Sequence, residues 1–166
     1  TVHWHAVFTA SRAEKKVRDR LEELGVECFL PVQTVLRQWT YRKSRVVVPV
    51  IAGLVFVRVG RQEQVKVLQT KGVAFLRLKG EAGAAVIPDK QMEDFRFLLD
   101  FSEEAVEMTN ENIKAGDLVR VVKGSLRGME GELIRHKGVT KVLVRIDMLG
   151  CAMVNIPASF VEKLNK

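Results

Sequence analysis

Three histidines, two cysteines and twenty carboxylates are the side chains with which this chain of 166 residues could carry out metal or covalent chemistry. Their spacing supports neither. His3 and His5 alternate as on one side of a strand, a weak metal pair at best. No Cys, Asp or Glu stands at ligand spacing from them or from His136, so a place in or beside a sheet core is the better reading. Cys28 and Cys151 are isolated thiols, as in buried positions of a cytosolic protein, and form no disulfide or zinc framework. The chain has no Walker loop, no Gly-x-Ser-x-Gly elbow, no Cys/His pair with an orienting acid and no convincing carboxylate pair. Neither an enzyme nor a bound cofactor or metal is expected.

Binding chemistry is better represented. From Cys28 to Gln62 there is no carboxylate, while Arg37, Arg42, Lys43, Arg45, Arg58 and Arg61 stand around Trp39 and Tyr41. Cations interleaved with aromatics suit a single nucleic-acid strand, the charges following phosphates and the rings stacking on bases. Arg12, Lys15, Lys16 and Arg18 add charge nearby. The plainer alternative is a solvated arm, and a solvated helix face whose cations pair with Asp19, Glu22 and Glu23.

The elements that must position these groups follow from periodicity. His3–Thr9 reads as a buried strand. Ser11 and Glu14 form a capping box ahead of a helix over Arg12–Leu24, with Ala13, Val17, Leu21 and Leu24 at helical spacing and Gly25 as its left-handed stop. Val26–Val32 predicts a strand, Gln33–Val48 a long exposed hairpin, and Ile51–Val59 a central strand buried on both faces. Gln62–Thr70 predicts a helix with Val65 and Leu68 inward and Gly72 after it. Val73–Leu78 follows as a strand, then a turn over Gly80–Gly83. Pro88-Asp89 opens a third helix with Met92, Phe95 and Leu99 on one face. The result is a compact α+β domain of ferredoxin-like type.

The charge of +7 divides as +6 over residues 1–101, −4 over 102–113 and +5 over 114–166, which suggests two basic domains and an acidic solvated linker. Beyond the linker, Asp117–Lys123, Gly131–Arg135, Lys141–Asp147 and Cys151–Ile156 are short β-rich runs between glycines. They predict a small barrel of four or five strands, with Val119, Val121 and Leu133 as filling. With 47% apolar residues there is material for real cores. The longest apolar stretch, Val46–Val57, is interrupted by Pro49 and Gly53, and His3, His5 and Arg12 interrupt any leader-like run. No membrane span or secretory leader is expected.

Two groups of residues carry a family resemblance. Gly116-Asp117-Leu118-Val119-Arg120-Val121, followed by Gly124, Arg127, Gly128 and Gly131, resembles the KOW motif of small SH3-like barrels. In the first domain the resemblance is to the NusG family. It rests on Trp4-His5-Ala6-Val7 before the helix, Phe29-Leu30-Pro31-Val32 before the basic hairpin, Ile51–Val57, Thr70–Leu76 and Ile87–Met92. The family's aromatic-Pro-Gly-Tyr turn reads here Ile51-Ala52-Gly53-Leu54, a departure more similar to the specialised RfaH-like or UpxY-like antiterminators than to the housekeeping factor.

The resemblance implies a cytoplasmic, nucleoid-associated regulator of transcript elongation, monomeric and without a membrane partner. Its first domain would grip the clamp helices of the largest RNA polymerase subunit through an apolar patch. Mapped here, the patch comprises His5, Val7, Ile51, Leu54 and Phe75. Val7 and Phe75 are equally well read as core, whereas Ile51 and Leu54, at a strand entrance beside Gly53, read as interface. The basic hairpin and helix would follow the displaced non-template DNA strand, and Glu63–Lys66 would lie at a second polymerase contact that holds the clamp closed and suppresses pausing. The KOW barrel would receive a small-subunit ribosomal protein or a termination factor, or touch RNA through Lys123, Arg127, Arg135, Lys137 and Lys141. Its glycines oppose refolding into long helices. The rival reading is a KOW-containing ribosomal or RNA-binding protein, which needs no apolar patch and normally has a more extreme charge.

Overall fold

The computed structural model describes residues 1–77 and 83–164. Leu78 and most of the expected Gly80–Gly83 turn lie outside these. Two compact units result: Thr1–Thr34 with Val46–Asp89, and Val35–Arg45 with Lys90–Lys166. No helix among the described residues is long and apolar enough to cross a membrane.

In the first unit, β1 (His3–Phe8), β2 (Glu27–Phe29), β5 (Leu54–Val59) and β6 (Ala74–Phe75) form an antiparallel sheet in the order β2-β5-β1-β6. Leu54 to Val57 of central β5 are all buried, as the continuous apolar run predicts. Alternation along β5 sends Val55, Val57 and Val59 to one face, where they share a cluster with Val7, Phe75, Val17 and Leu21 of α1 (Glu14–Glu23) and Val67 of α2 (Arg61–Leu68).

Several local expectations are corrected here. The helix α1 begins at Glu14, because Arg12 adopts a left-handed φ of 68° and breaks the first turn. No side-chain cap is present; the Glu14 carboxylate instead accepts a hydrogen bond from the Gly53 backbone N–H at 2.8 Å. The run Val26–Val32 is two strands, with β2 ending at Phe29 before Leu30-Pro31 and β3 (Val32–Gln38) starting beyond it. The face assigned to α2 was wrong. Val67 is fully buried, whereas Val65 and Leu68 are 59% and 51% exposed. Eight residues give a helix two turns only, and an apolar triplet that short fixes no phase. In α3 (Asp89–Phe101) the buried set is Met92, Phe95 and Leu98, with Leu99 half-buried.

The basic segment forms the expected hairpin of β3 and β4 (Lys43–Pro49), a two-stranded sheet of its own. Trp39 N–H donates to Arg42 O at 2.7 Å around a two-residue tip, and Val50 N–H donates to Pro31 O at 2.9 Å at the base. Both bonds belong to a single register, so the hairpin runs without a bulge.

In the second unit, β7 (Glu107–Thr109), β8 (Asp117–Val121), β9 (Glu130–His136), β10 (Val139–Ile146), β11 (Gly150–Asn155) and β12 (Val161–Lys163) form one antiparallel sheet in the order β12-β8-β9-β10-β11-β7. Val119 and Val121 are buried as expected. Leu133 is only half-buried and its neighbour Ile134 takes the core position. The acidic segment is not all linker: Glu107–Thr109 pairs with Cys151–Met153, and Lys141 Nζ bridges Glu107 at 3.3 Å and Asn155 at 2.8 Å. From α3, Gln91 exchanges two hydrogen bonds with Asp147, its amide donating to Oδ1 at 2.8 Å and accepting from the backbone N–H at 2.7 Å.

Glycines fix two close approaches in this unit. A Cβ on Gly116 would lie 2.1 Å from Leu133 O, and one on Gly150 would lie 2.1 Å from Thr109 O. Gly124 and Gly128 have φ of 86° and 96° and turn the chain as expected. Gly131 makes no turn; it lies inside β9, where a Cβ would meet Leu143 O at 2.9 Å.

Candidate functional site

The five residues of the expected apolar patch do not share a surface. His5, Val7 and Phe75 lie on the helix-covered face of the first sheet and are 2%, 0% and 8% exposed. Leu54 points to the opposite face and is 1% exposed. Ile51 alone is partly accessible. His5 is a core histidine: its Nδ1–H donates to Ala85 O at 2.9 Å, and its ring meets Phe75 edge-on with centroids 5.8 Å apart. Among the described residues no cluster of three metal-ligating side chains occurs.

What surrounds Ile51 is accessible. Phe8 pairs with Leu54 across β1 and β5 and is 43% exposed, and Ala52 is exposed. Phe8, Ile51 and Ala52 are thus accessible apolar residues where β1 ends and β5 begins, a candidate platform. Phe8 was missed from sequence because the strand was read as a buried run; its position next to core Val7 already places it on the other face.

This platform is fastened from behind. Gly53 has a φ of 71°; its N–H is held by buried Glu14, and its carbonyl accepts from Thr9 N–H at 2.8 Å. Glu14→Ala leaves the Gly53 donor unpaired, which costs about 1–3 kcal/mol. The expected result is a lower unfolding midpoint and faster amide exchange at Gly53, read by NMR.

The second group is the hairpin. Arg37, Trp39, Tyr41, Arg42, Lys43 and Arg45 are all exposed, Trp39 by 49% and Tyr41 by 97%. The single register divides them. Arg37, Trp39, Arg42 and Ser44 share one face, while Lys43 and Arg45 lie on the other beside exposed Leu36 and Val47. The Trp39 indole N–H donates to the Ser44 hydroxyl, and Gln38 Nε2 donates to Trp39 O at 3.1 Å. On α1, Arg12, Lys15 and Lys16 are exposed, whereas Arg18 bridges Asp19 at 3.2 Å and Glu22 at 3.4 Å.

Cys28, also in the carboxylate-free segment, is chemically quiet. Burial chiefly, with Glu22 adding, pushes its thiol up to about 11, and Sγ donates to Arg18 O at 3.7 Å. Alkylation by iodoacetamide at neutral pH is expected to run roughly 100-fold slower than for an unperturbed thiol, since the thiolate is that much scarcer. Mass spectrometry over a time course checks this.

In the second unit, the five cations considered for RNA contact separate. Lys141 is 8% exposed and occupied by Glu107 and Asn155. Lys123 and Arg127 precede β9, and Arg135 and Lys137 stand at its far end. Asp117, at the start of β8, pairs with Lys163 at 3.4 Å. Gly116 N–H donates to Glu132 at 3.0 Å, and Glu132 is gripped by Arg145 through contacts of 2.6 and 3.0 Å.

Residues 2–96 match the family model described as transcription termination factor NusG. The chain belongs to the NusG family. The matched residues include β1, the Ile51–Gly53 turn, the whole hairpin and the first half of α3, so both candidate surfaces lie within the family domain. NusG-family members are transcription factors rather than enzymes. Two crystal structures of the MjSpt4:Spt5 complex match over most of the chain. Conformation A shares 16% identity over 98% of this chain and 99% of that one, and conformation B 19% over 98% and 97%, each with a TM-score of 0.29. Superposition that loose does not define a common fold. No curated protein sequence matches.

Proposed function

We propose that this NusG-family protein is a transcript elongation regulator that binds RNA polymerase through its first domain, residues 1–101, and recruits a second factor through residues 114–166, an SH3-like KOW barrel. The observation that carries the reading is the fastened apolar platform of Phe8, Ile51 and Ala52 within the matched family domain. Few side chains dominate such contacts, and a platform held by Glu14 loses little entropy on docking. The docked element is the clamp-helix tip of the largest subunit. The hairpin follows the displaced non-template strand, and the net effect is suppression of pausing and termination, as in the specialised RfaH-like or UpxY-like branch. The second factor is a small-subunit ribosomal protein or a termination factor. The protein acts as a monomer in the cytoplasm, at the nucleoid.

Binding to core RNA polymerase tests this, with wild type beside Phe8→Asp/Ile51→Asp. Micromolar or tighter binding by wild type, lost in the folded double variant, supports the reading. If neither binds polymerase while both bind ribosomal RNA in a salt-dependent manner, a KOW-containing ribosomal protein replaces it.

A further inference from the structure

The two hairpin aromatics are not equivalent. Tyr41, at the two-residue tip, is 97% exposed and free in solution to sample many rotamers. Trp39 is held. Its indole N–H is bonded to the Ser44 hydroxyl, and Ser44 sits on the neighbouring strand two residues further from the tip than Arg42, on the same face. That bond spans the hairpin, while Trp39 stays 49% exposed. Arg37, directly across from Ser44, and Arg42, directly across from Trp39, frame the ring on its own face. No carboxylate lies in this segment to neutralise them.

We infer that Trp39 is a preorganised stacking platform for one base of a single nucleic-acid strand, with Ser44 as its positioning residue and Arg37 and Arg42 as the flanking phosphate contacts. This rests on the nucleic-acid part of the proposed function and assigns the work within it. A held ring offers its face without first losing rotamer freedom, whereas Tyr41 must be ordered at the moment of binding. Lys43 and Arg45, on the opposite face, act through charge at longer range and do not frame the base.

The protein carries its own reporter. It has two tryptophans; Trp4 is 6% exposed in the first unit, so a change in emission on adding ligand reports Trp39. Titration of the full chain with a dodecamer of deoxythymidine at low salt is expected to quench about half of the total emission. Affinity is expected to fall about ten-fold in Trp39→Ala, about three- to five-fold in Ser44→Ala and less than two-fold in Tyr41→Ala, while Ser44→Thr retains the hydroxyl and restores binding. For the variants without Trp39, anisotropy of a labelled oligonucleotide replaces emission, and Trp4 emission confirms the fold. Binding with equal losses for Trp39→Ala and Tyr41→Ala, or with no loss for Ser44→Ala, overturns the assignment while leaving nucleic-acid binding intact. No salt-dependent binding by wild type overturns the nucleic-acid reading itself, and the assignment with it.

Discussion

Replacing Arg37, Arg42, Lys43 and Arg45 together with glutamine is expected to weaken binding of single-stranded DNA by about two orders of magnitude near physiological salt. Each cation that meets a phosphate releases condensed counterions, contributing about 0.7 to the slope of log affinity against log salt on a single strand. The two direct contacts, Arg37 and Arg42, lower the slope by about 1.4, and Lys43 and Arg45 add to the loss of affinity through charge at longer range. Stability is not expected to change, because all four side chains are exposed and no ion pair from them was found among the described residues. Filter binding at four salt concentrations reads affinity and slope together. An unchanged slope with lower affinity would mean that the loss arose from a distorted hairpin and not from lost phosphate contacts.

The second large effect concerns stability of the second unit. Arg145→Leu removes four hydrogen bonds at once, two to Glu132, one to Ile113 O at 2.8 Å and a weaker one to Cys151 Sγ at 3.8 Å. It leaves a carboxylate whose side chain is 15% exposed facing only the Gly116 N–H. A loss of about 2–3 kcal/mol is expected, reduced from the range for fully buried pairs because the arginine is 35% exposed. The pH dependence has a definite sign. Burial pushes the Glu132 carboxyl up, but the hydrogen bonds from Arg145 and Gly116 outweigh it and hold the group below its ordinary value of 4.5. A depressed folded value means stability that is present above 4.5 and lost as pH falls below it. The gap in unfolding midpoint between wild type and Arg145→Leu is therefore expected to be full at pH 7 and to close on acidification. A gap independent of pH would show that packing of the arginine stem, not its charge, was the source.

Legibility in the sequence followed the length of each periodic signal. The hairpin, central β5, the stop at Gly25 and four strands of the second unit were all readable, because long apolar alternation and glycines at left-handed positions leave few alternatives. The phase of α2 was not, since two turns with Val65, Val67 and Leu68 admit either face. Nor was the role of Glu14. Its spacing from Ser11 satisfies a capping box, and only tertiary structure brings Gly53, thirty-nine residues away, to compete for the carboxylate. The strand Glu107–Thr109 was hidden by composition: four acids and no base in 102–113 look like a solvated linker, yet Lys141 compensates Glu107 from within the sheet.

The same limit governed the proposed binding surface. The resemblance led to His5, Val7, Leu54 and Phe75, whose residue types suit an apolar contact but equally suit a core, and the sheet places them on two different faces. Their exposed neighbour Phe8 became visible only once the β1–β5 register put it against Leu54. Trp39 and Tyr41 were singled out together, and only the Ser44 hydrogen bond separates them.

The proposed function stands or falls on docking of Phe8, Ile51 and Ala52 against RNA polymerase. Site-specific photocross-linking tests it most directly, with a photoreactive phenylalanine analogue in place of exposed Ala52 and a second variant carrying it at exposed Glu162 as control. The expected result is a cross-link from position 52 to the clamp helices of the largest polymerase subunit, absent from position 162. A polymerase-bound protein that cross-links elsewhere from position 52, or a cross-link to ribosomal components instead, would contradict it.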